Sequence, residues 1–192
     1  MKSKVYFSRT ITPEKVLELY KLLGKELKGN VALKVHSGEP GNQNFLRPEF
    51  WKPVVDHVGG TIVECNTAYD GERNVTERHV ATFKKHGWTD CYGAVDLLDA
   101  TGPDLVLPVR NGLVIHENYV GKDLANYDSL LVLSHFKGHA MAGFGGAIKN
   151  VGIGISSPSG KVYVHSAGTR TSGSIMHSDQ DEWLEALAEM VS

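Results

Sequence analysis

Apolar positions in this chain fall into two patterns: short continuous runs, and segments in which they recur every three or four residues. The runs predict buried strands, and the helical spacing predicts amphipathic helices that pack on a sheet. The predicted strands are residues 5–7, 31–35, 61–65, 105–109, 113–115, 128–133 and 161–164. The predicted helices start after Thr12 and at Pro48, and cover residues 74–85 and 179–191. This alternation predicts an α/β fold: one three-layer domain over residues 1–192, with a mainly parallel sheet and helices on both faces.

Local signals sharpen three of these elements. Asn111-Gly112 predicts a tight hairpin between the strands at 105–109 and 113–115. The run 128–133 is continuously apolar after its first two residues, which predicts a buried central strand. The final helix is expected to be capped by Ser178 or Asp179.

The composition excludes several classes of protein. The 192 residues carry 20 Lys and Arg against 22 Asp and Glu, a net charge of −2, and 41% of them are hydrophobic. These values indicate a soluble globular chain and argue against a disordered tail or a nucleic-acid-binding arm. No apolar run is long enough to span a bilayer, and no signal peptide precedes the first predicted strand, so we expect no membrane partner and a cytoplasmic location.

The two cysteines, Cys65 and Cys91, do not form a CxxC pair. This chain alone therefore cannot supply a zinc ribbon or a cysteine-only iron–sulfur cluster. We expect both residues to be buried, reduced thiols.

The densest chemistry lies in residues 134–154, which directly follow the run 128–133 and include six glycines. Glycine-rich backbone beside lysines favours an anion-binding site, and histidines offer proton transfer or metal ligation. We predict His139 and Lys149 as catalytic residues. The predicted ligand- or cofactor-binding residues in this segment are His135, Lys137, Gly145, Gly146, Lys149 and Asn150. The alternative is a glycine-rich turn with solvated lysines and a packing histidine.

Other candidates lie in loops that follow predicted strands. The polar loop 36–42 comes directly after the strand at 31–35, where open α/β sheets usually bind ligands. Asp70 and Arg73 share one loop and are predicted binding residues, which either pair with each other or clamp a carboxylate; a surface ion pair is the alternative. His165 follows the predicted strand 161–164, so with His139 it is a predicted metal ligand, and His135 would complete a three-nitrogen site.

Nine histidines are present in all, and the remaining six are weaker candidates. His36, His116 and His177 have a smaller claim to function than the three above. His57, His79 and His86 are expected on helix surfaces.

Several motifs resemble the domain of unknown function 362 family, whose members are uncharacterised iron–sulfur centre proteins. The similar segments are residues 135–139, 143–150, 152–154, 160–161 and 165–168. Members of that family continue into a cysteine-rich, ferredoxin-like segment, whereas this chain stops at Ser192. The resemblance therefore implies the amino-terminal part of a longer protein, with an iron–sulfur cluster only if such a segment follows.

A more distant resemblance is to the amino-terminal domain of the nickel-pincer lactate racemases. His139, the stretch 142–146 and Lys149 follow in the order of that family's motif. The loop 70–73 is similar to its Asp-Gly-Thr-Arg loop, although Glu72 replaces the threonine. This resemblance implies a nickel-type cofactor anchored on Lys149 and a nickel-ligating role for His165.

The sequence is compatible with three functions, and it does not decide whether the chain is an enzyme. The first is a ligand- or cofactor-binding domain that acts on a small anionic substrate through His139 and Lys149. The second is a non-catalytic module that docks a ferredoxin-like electron-transfer domain. The third is a racemase- or epimerase-like enzyme with a cofactor anchored on Lys149. The apolar stripe of the final helix, around Trp183 and Leu187, predicts self-association through that helix.

Overall fold

A computed structural model of the chain describes residues 3–102, 104–175 and 180–191. In chain order the helices and strands are α1 (Pro13–Leu22), β1 (Val31–Lys34), α2 (Pro48–Val58), β2 (Thr61–Glu64), α3 (Thr76–Lys85), α4 (Trp88–Tyr92), β3 (Val95–Leu97), β4 (Leu105–Pro108), β5 (Glu117–Val120), a 3-10 helix (Lys122–Asn126), β6 (Ser129–Val132), β7 (Lys137–His139), β8 (Gly143–Gly145), α5 (Ala147–Gly152), α6 (Pro158–His165) and α7 (Gln180–Glu189). This succession confirms the predicted α/β class.

The central sheet has four parallel strands in the order β3-β2-β1-β6. Ala32 pairs with Thr61 on one side and with Leu130 on the other. The chain therefore adds β2 and β3 on one side of β1, and later returns to add β6 on the other side. Such a reversal of strand order opens a crevice at the carboxyl ends of the two strands that flank it, here β1 and β6.

Strand β6 is at the edge of the sheet and half-buried, not central and fully buried as predicted. A continuous apolar run does not distinguish an edge strand that is covered on both faces from a central one, which explains this error.

The apolar core lies between the sheet and helices α1 to α4. Leu33 and Ile62 on the sheet pack with Val54 of α2, Phe83 of α3 and Trp88 of α4. Successive strand residues point to opposite faces, so Ala32 and Val63 belong to a second core with the β4–β5 side of the molecule. The sheet is thus covered on both faces, as predicted.

A hairpin forms, but with a different second strand and a longer loop than the predicted tight turn. β4 pairs with β5, so the partner strand starts at Glu117 instead of 113. Asn111 adopts the left-handed backbone expected for the turn, at φ 59°. Residues 113–115 stay out of the ladder because their backbone N–H groups donate to the Glu189 carboxylate, at 2.7 to 3.1 Å.

The predicted strands at 161–164 and 5–7 are wrong. Residues 161–164 belong to α6, where the Ser157 hydroxyl accepts the N–H of Gly160 and Pro158 opens the helix. This Ser-Pro start signal outweighs the β-branched residues that suggested a strand. Residues 5–7 have no strand pairing, and the side chains of Val5 and Phe7 are exposed.

Helix α7 covers its apolar stripe within this chain. Trp183, Leu187 and Met190 are buried against Ile115 and Val164. The expectation of self-association assumed that this stripe stays exposed, and its burial removes that basis. The predicted caps Ser178 and Asp179, like His177, lie outside the described residues.

Across the described ranges, the helices are all too short or too polar to cross a membrane.

Candidate functional site

A cavity of about 230 Å³ lies at the carboxyl edge of the sheet, where β1 and β6 diverge. Its walls come from the loops after β1, β2 and β6, the β7–β8 hairpin, α5 and α6. The predicted residues that line it are Arg73, His135, Lys137, His139, Gly145, Gly146, Lys149, Asn150 and His165. The loop after β1 contributes His36 and Glu39, as its position after a strand predicted. Asp70 is not part of the lining.

Arg73 pairs with two glutamates and not with Asp70. Its guanidinium donates to Glu39 and, at 2.5 Å, to Glu64, while Asp70 is exposed and accepts from the Asn74 amide. Arg73 therefore holds two carboxylates of this chain, and the predicted pair with Asp70 does not form; that Arg73 clamps the carboxylate of a ligand stays a prediction. Asp70 and Arg73 are close in sequence but do not pair, because Asp70 is exposed to solvent while Arg73 is buried.

Glu64 is the central carboxylate of the site, and it is 3% exposed. One oxygen accepts from Arg73 and lies 3.9 Å from Lys34 Nζ and 3.6 Å from His36 Nδ1. The other accepts the backbone N–H of Ser37 at 3.1 Å. Burial alone would raise the pKa of Glu64, but the charges of Arg73 and Lys34 outweigh it and hold the pKa well below its usual range.

His79 is fully buried, so its predicted place on a helix surface is wrong. Its Nδ1 bonds to the Asn66 side-chain oxygen at 3.1 Å, and its Nε2 accepts from Arg73 Nε at 3.1 Å. Since an arginine N–H can only donate, the ring proton is on Nδ1. His79 thereby positions Arg73 against Glu64.

Two lysines of the cavity are tied to backbone carbonyls. Lys34 is 1% exposed and donates to the Val35 carbonyl and, at 2.8 Å, to Asn150 Oδ1. Lys161 donates to the Ser156 carbonyl. Burial lowers the pKa of Lys34 to about 8 and lowers that of Lys161 as well.

Gly154 makes room for the buried Lys34 side chain. A Cβ on Gly154 would lie 2.1 Å from the Asn150 carbonyl oxygen and 2.8 Å from Lys34 Nζ. A larger residue at this position would displace the ammonium from its place beneath the cavity.

The other two lysines come from the predicted glycine-rich segment. Lys137 on β7 lies with its Nζ 3.0 Å from His36 Nε2. Burial lowers the pKa of Lys137. Burial, and then the charge of Lys137, lowers the pKa of Lys149 to about 8. For the side-chain amine of Lys149, no hydrogen bond or ion pair is found among the described residues. Gly145 lies between the two stems, since a Cβ there would meet both at 3.8 Å.

His139 is arranged as a hydrogen-bond donor. Its Nδ1 accepts the backbone N–H groups of Met141 and Ala142, at 3.3 and 3.1 Å. The ring proton is therefore on Nε2. Burial, and then the charges of Lys149 and Lys137, lower the pKa of His139 to about 4, so the ring is neutral at pH 7.

His165 and His135 have different surroundings. His165 lies on α6 and not at a strand end; its Nδ1 bonds to the Lys161 carbonyl at 2.6 Å, and its ring stacks on Trp183. This places the proton on Nδ1 and leaves Nε2 as an acceptor, and burial lowers the pKa to about 4. His135 Nδ1 is buried, and in the described part of the chain it has no hydrogen-bond partner.

The donor set does not fit the implied metal groups. Within the described ranges, no three or more His, Cys, Asp or Glu side chains are grouped to hold a metal ion. The predicted three-nitrogen site of His135, His139 and His165 is not such a group, although all three residues line the cavity. Cys65 is a buried thiol that donates to the Ile155 carbonyl, while Cys91 lines a different cavity, so the two do not share a cluster site.

Several residues of the site were not predicted: Lys34, Glu64, His79 and Lys161. Lys34 and Glu64 did carry a signal, because each is a single charged residue inside an otherwise apolar strand. A charge in such a strand has to be paired or has to face a cavity. No comparable signal marked His79 or Lys161.

Fold and site together define an α/β domain with a strongly cationic cavity at the switch point of its sheet. A family model described as a domain of unknown function, DUF362, matches residues 31–192. The chain belongs to this family, which confirms the resemblance seen in its motifs. No curated protein and no solved structure matches the chain, so the resemblance to the lactate racemases stays a prediction.

Proposed function

We propose that this domain binds a small organic anion in the cavity, as the ligand-binding part of an enzyme. The main support for this proposal is the charge of the cavity lining, which contains five cationic side chains and two carboxylates. The cationic residues are Lys34, Arg73, Lys137, Lys149 and Lys161.

The charges within the cavity are unevenly compensated. Glu64 and Glu39 balance Arg73 and, in part, Lys34. Lys137 and Lys149 have no carboxylate within salt-bridge distance among the described residues. Burying ammonium groups together is unfavourable unless an anion offsets their charge. A bound anion would restore the lowered pKa of Lys149 towards its ordinary value.

The dimensions favour a small ligand. A cavity of about 230 Å³ is smaller than the roughly 300–1,000 Å³ pockets that hold drug-sized molecules. Gly145 and Gly146 bring backbone to its wall without side chains, and the neutral His139 offers an Nε2–H donor. Carboxylates and phosphates share the chemistry that this lining recognises.

Calorimetric titration with oxalate and, separately, with inorganic phosphate tests the proposal and distinguishes the two anions. We expect Lys149→Gln to weaken binding of the preferred anion by roughly tenfold, since a hydrogen bond to a charged group contributes about 1.5–3 kcal/mol. Lys52→Gln is the matched control, because Lys52 is exposed on α2 and paired with Asp56. If neither anion binds at millimolar concentration, or if both variants weaken binding equally, the cavity is not an anion site.

The wider predictions from the sequence stay open. Neither the docking of a ferredoxin-like domain nor the racemase-like activity gains support from the lining residues, and the cytoplasmic location likewise stays a prediction.

A further inference from the structure

Lys149 differs from the other four cations of the cavity in its contacts. Lys34 and Lys161 donate to carbonyl oxygens, Arg73 is fixed between two glutamates, and Lys137 contacts His36. The amine of Lys149 has no such partner in the described part of the chain, although its side chain lines the cavity. A hydrogen-bonded ammonium is held in its protonated form, whereas an untied amine can react.

We propose that Lys149 is a nucleophile that forms a Schiff base with a small 2-oxo carboxylate. The inference rests on the proposed function, because the same cavity must first bind the anion. It adds covalent chemistry and names the substrate class.

The surroundings of Lys149 favour the unprotonated amine. Its pKa of about 8 leaves roughly one tenth of the side chain neutral at pH 7, on the order of a few hundred times the fraction for an ordinary lysine. A lysine in a desolvated, cationic pocket is a recurrent form of activated amine. Lys52 is the opposite case, since its hydrogen bond to Asp56 raises its pKa.

The other lining groups suit a carboxylate next to a carbonyl. Lys137 offers a charge beside Lys149, since the stems of both lie near Gly145. The Nε2–H of His139 is a neutral donor suited to a carbonyl oxygen, and Lys149 is close enough for its charge to lower the pKa of His139. His165, whose Nε2 is left as a hydrogen-bond acceptor, lines the same cavity.

The step balances without an oxidant or reductant. The lone pair of Lys149 Nζ attacks the carbonyl carbon, forming a C–N bond, while the carbonyl electron pair moves to oxygen. Proton transfer from nitrogen to that oxygen gives a carbinolamine. The hydroxyl then leaves as water with the proton that remains on Nζ, and the nitrogen lone pair forms the C=N bond of a neutral imine.

Trapping with pyruvate and sodium cyanoborohydride tests the proposal on the full chain. Cyanoborohydride reduces the imine to a stable secondary amine, so intact-mass and peptide mass spectrometry should find one reduced pyruvate, on Lys149. Excess oxalate should suppress the adduct by occupying the cavity. Lys149→Arg should lose the adduct, because a guanidinium stays protonated and cannot attack the carbonyl, while Lys52→Arg should behave like the parent chain.

The possible outcomes separate this proposal from the proposed function. Oxalate binding without an adduct, or an adduct spread over surface lysines and unaffected by oxalate, overturns the Schiff base and leaves anion binding intact. Failure of the parent chain to bind oxalate overturns the Schiff base, and failure to bind phosphate as well overturns both proposals. If Lys149→Arg does not fold, protection of Lys149 by oxalate in the parent chain still decides the matter.

Discussion

The layer beneath helices α1 to α4 and the cavity at the carboxyl edge of the sheet are both buried, yet their composition is opposite. The first is apolar throughout, with Leu33, Phe83 and Trp88 fully buried. The second contains Lys34, Glu64 and Lys161, each at most 6% exposed. Apolar burial stabilises a fold, whereas buried charges rarely contribute net stability even when paired. The contrast indicates that the helical layer holds the domain together and that the cavity is kept for its chemistry.

The largest expected effect comes from removing a side chain of the apolar layer. Trp51→Ala should lower the free energy of unfolding by about 3–5 kcal/mol, because it leaves a cavity among apolar side chains. Urea denaturation measures the loss. Under conditions in which the variant stays folded, its oxalate affinity should match that of the parent chain; a large change in affinity would contradict the separation of the two regions.

Glu64→Gln should break the charged network of the cavity, with a loss of about 3 kcal/mol, since Arg73 and Lys34 then lack their shared carboxylate. The folded-state pKa of Glu64 is depressed, so its contribution is present above the ordinary carboxyl pKa and is lost as pH falls towards the folded value. The parent chain should therefore lose stability below about pH 4.5 more steeply than the variant. Parallel pH profiles in urea would show that Glu64 is not the titrating group.

The residues that were not predicted are those whose position depends on burial in the folded chain and not on the local sequence pattern. The β–α alternation and the glycine-rich segment after β6 were predictable, because both are written in consecutive residues. His79 was placed on a surface because the helix around it is mostly polar, and only the fold brings Arg73 and Asn66 against it. The valines of segment 161–164 favour a strand, but the Ser157-Pro158 cap starts a helix that includes them.

The smallest expected effect is the pH dependence of anion affinity. It separates the role of Lys149 as a positive charge from its role as a nucleophile. An anion favours the ammonium form, so its affinity should fall as pH rises through about 8, by at most tenfold per unit, or about 1.4 kcal/mol. Lys137, Lys161, Arg73 and Glu39 also contribute to the potential at this amine. Sulfate keeps its charge over pH 7 to 9 and is a suitable probe for calorimetry. The rate of pyruvate adduct formation should rise over the same range, and a parallel fall of both quantities would contradict an amine nucleophile.

The contacts of Glu64 also constrain how this sequence can change during evolution. One carboxylate joins β2 to Lys34 on β1, to the loop after β1 and to Arg73, which is in turn set by His79 on α3. Replacing Lys34, Glu64 or Arg73 removes a charged partner from the other two, so single changes at these three positions should be rejected while paired changes survive. These positions are therefore expected to covary among members of the family, even though they are scattered along the chain and no motif connects them.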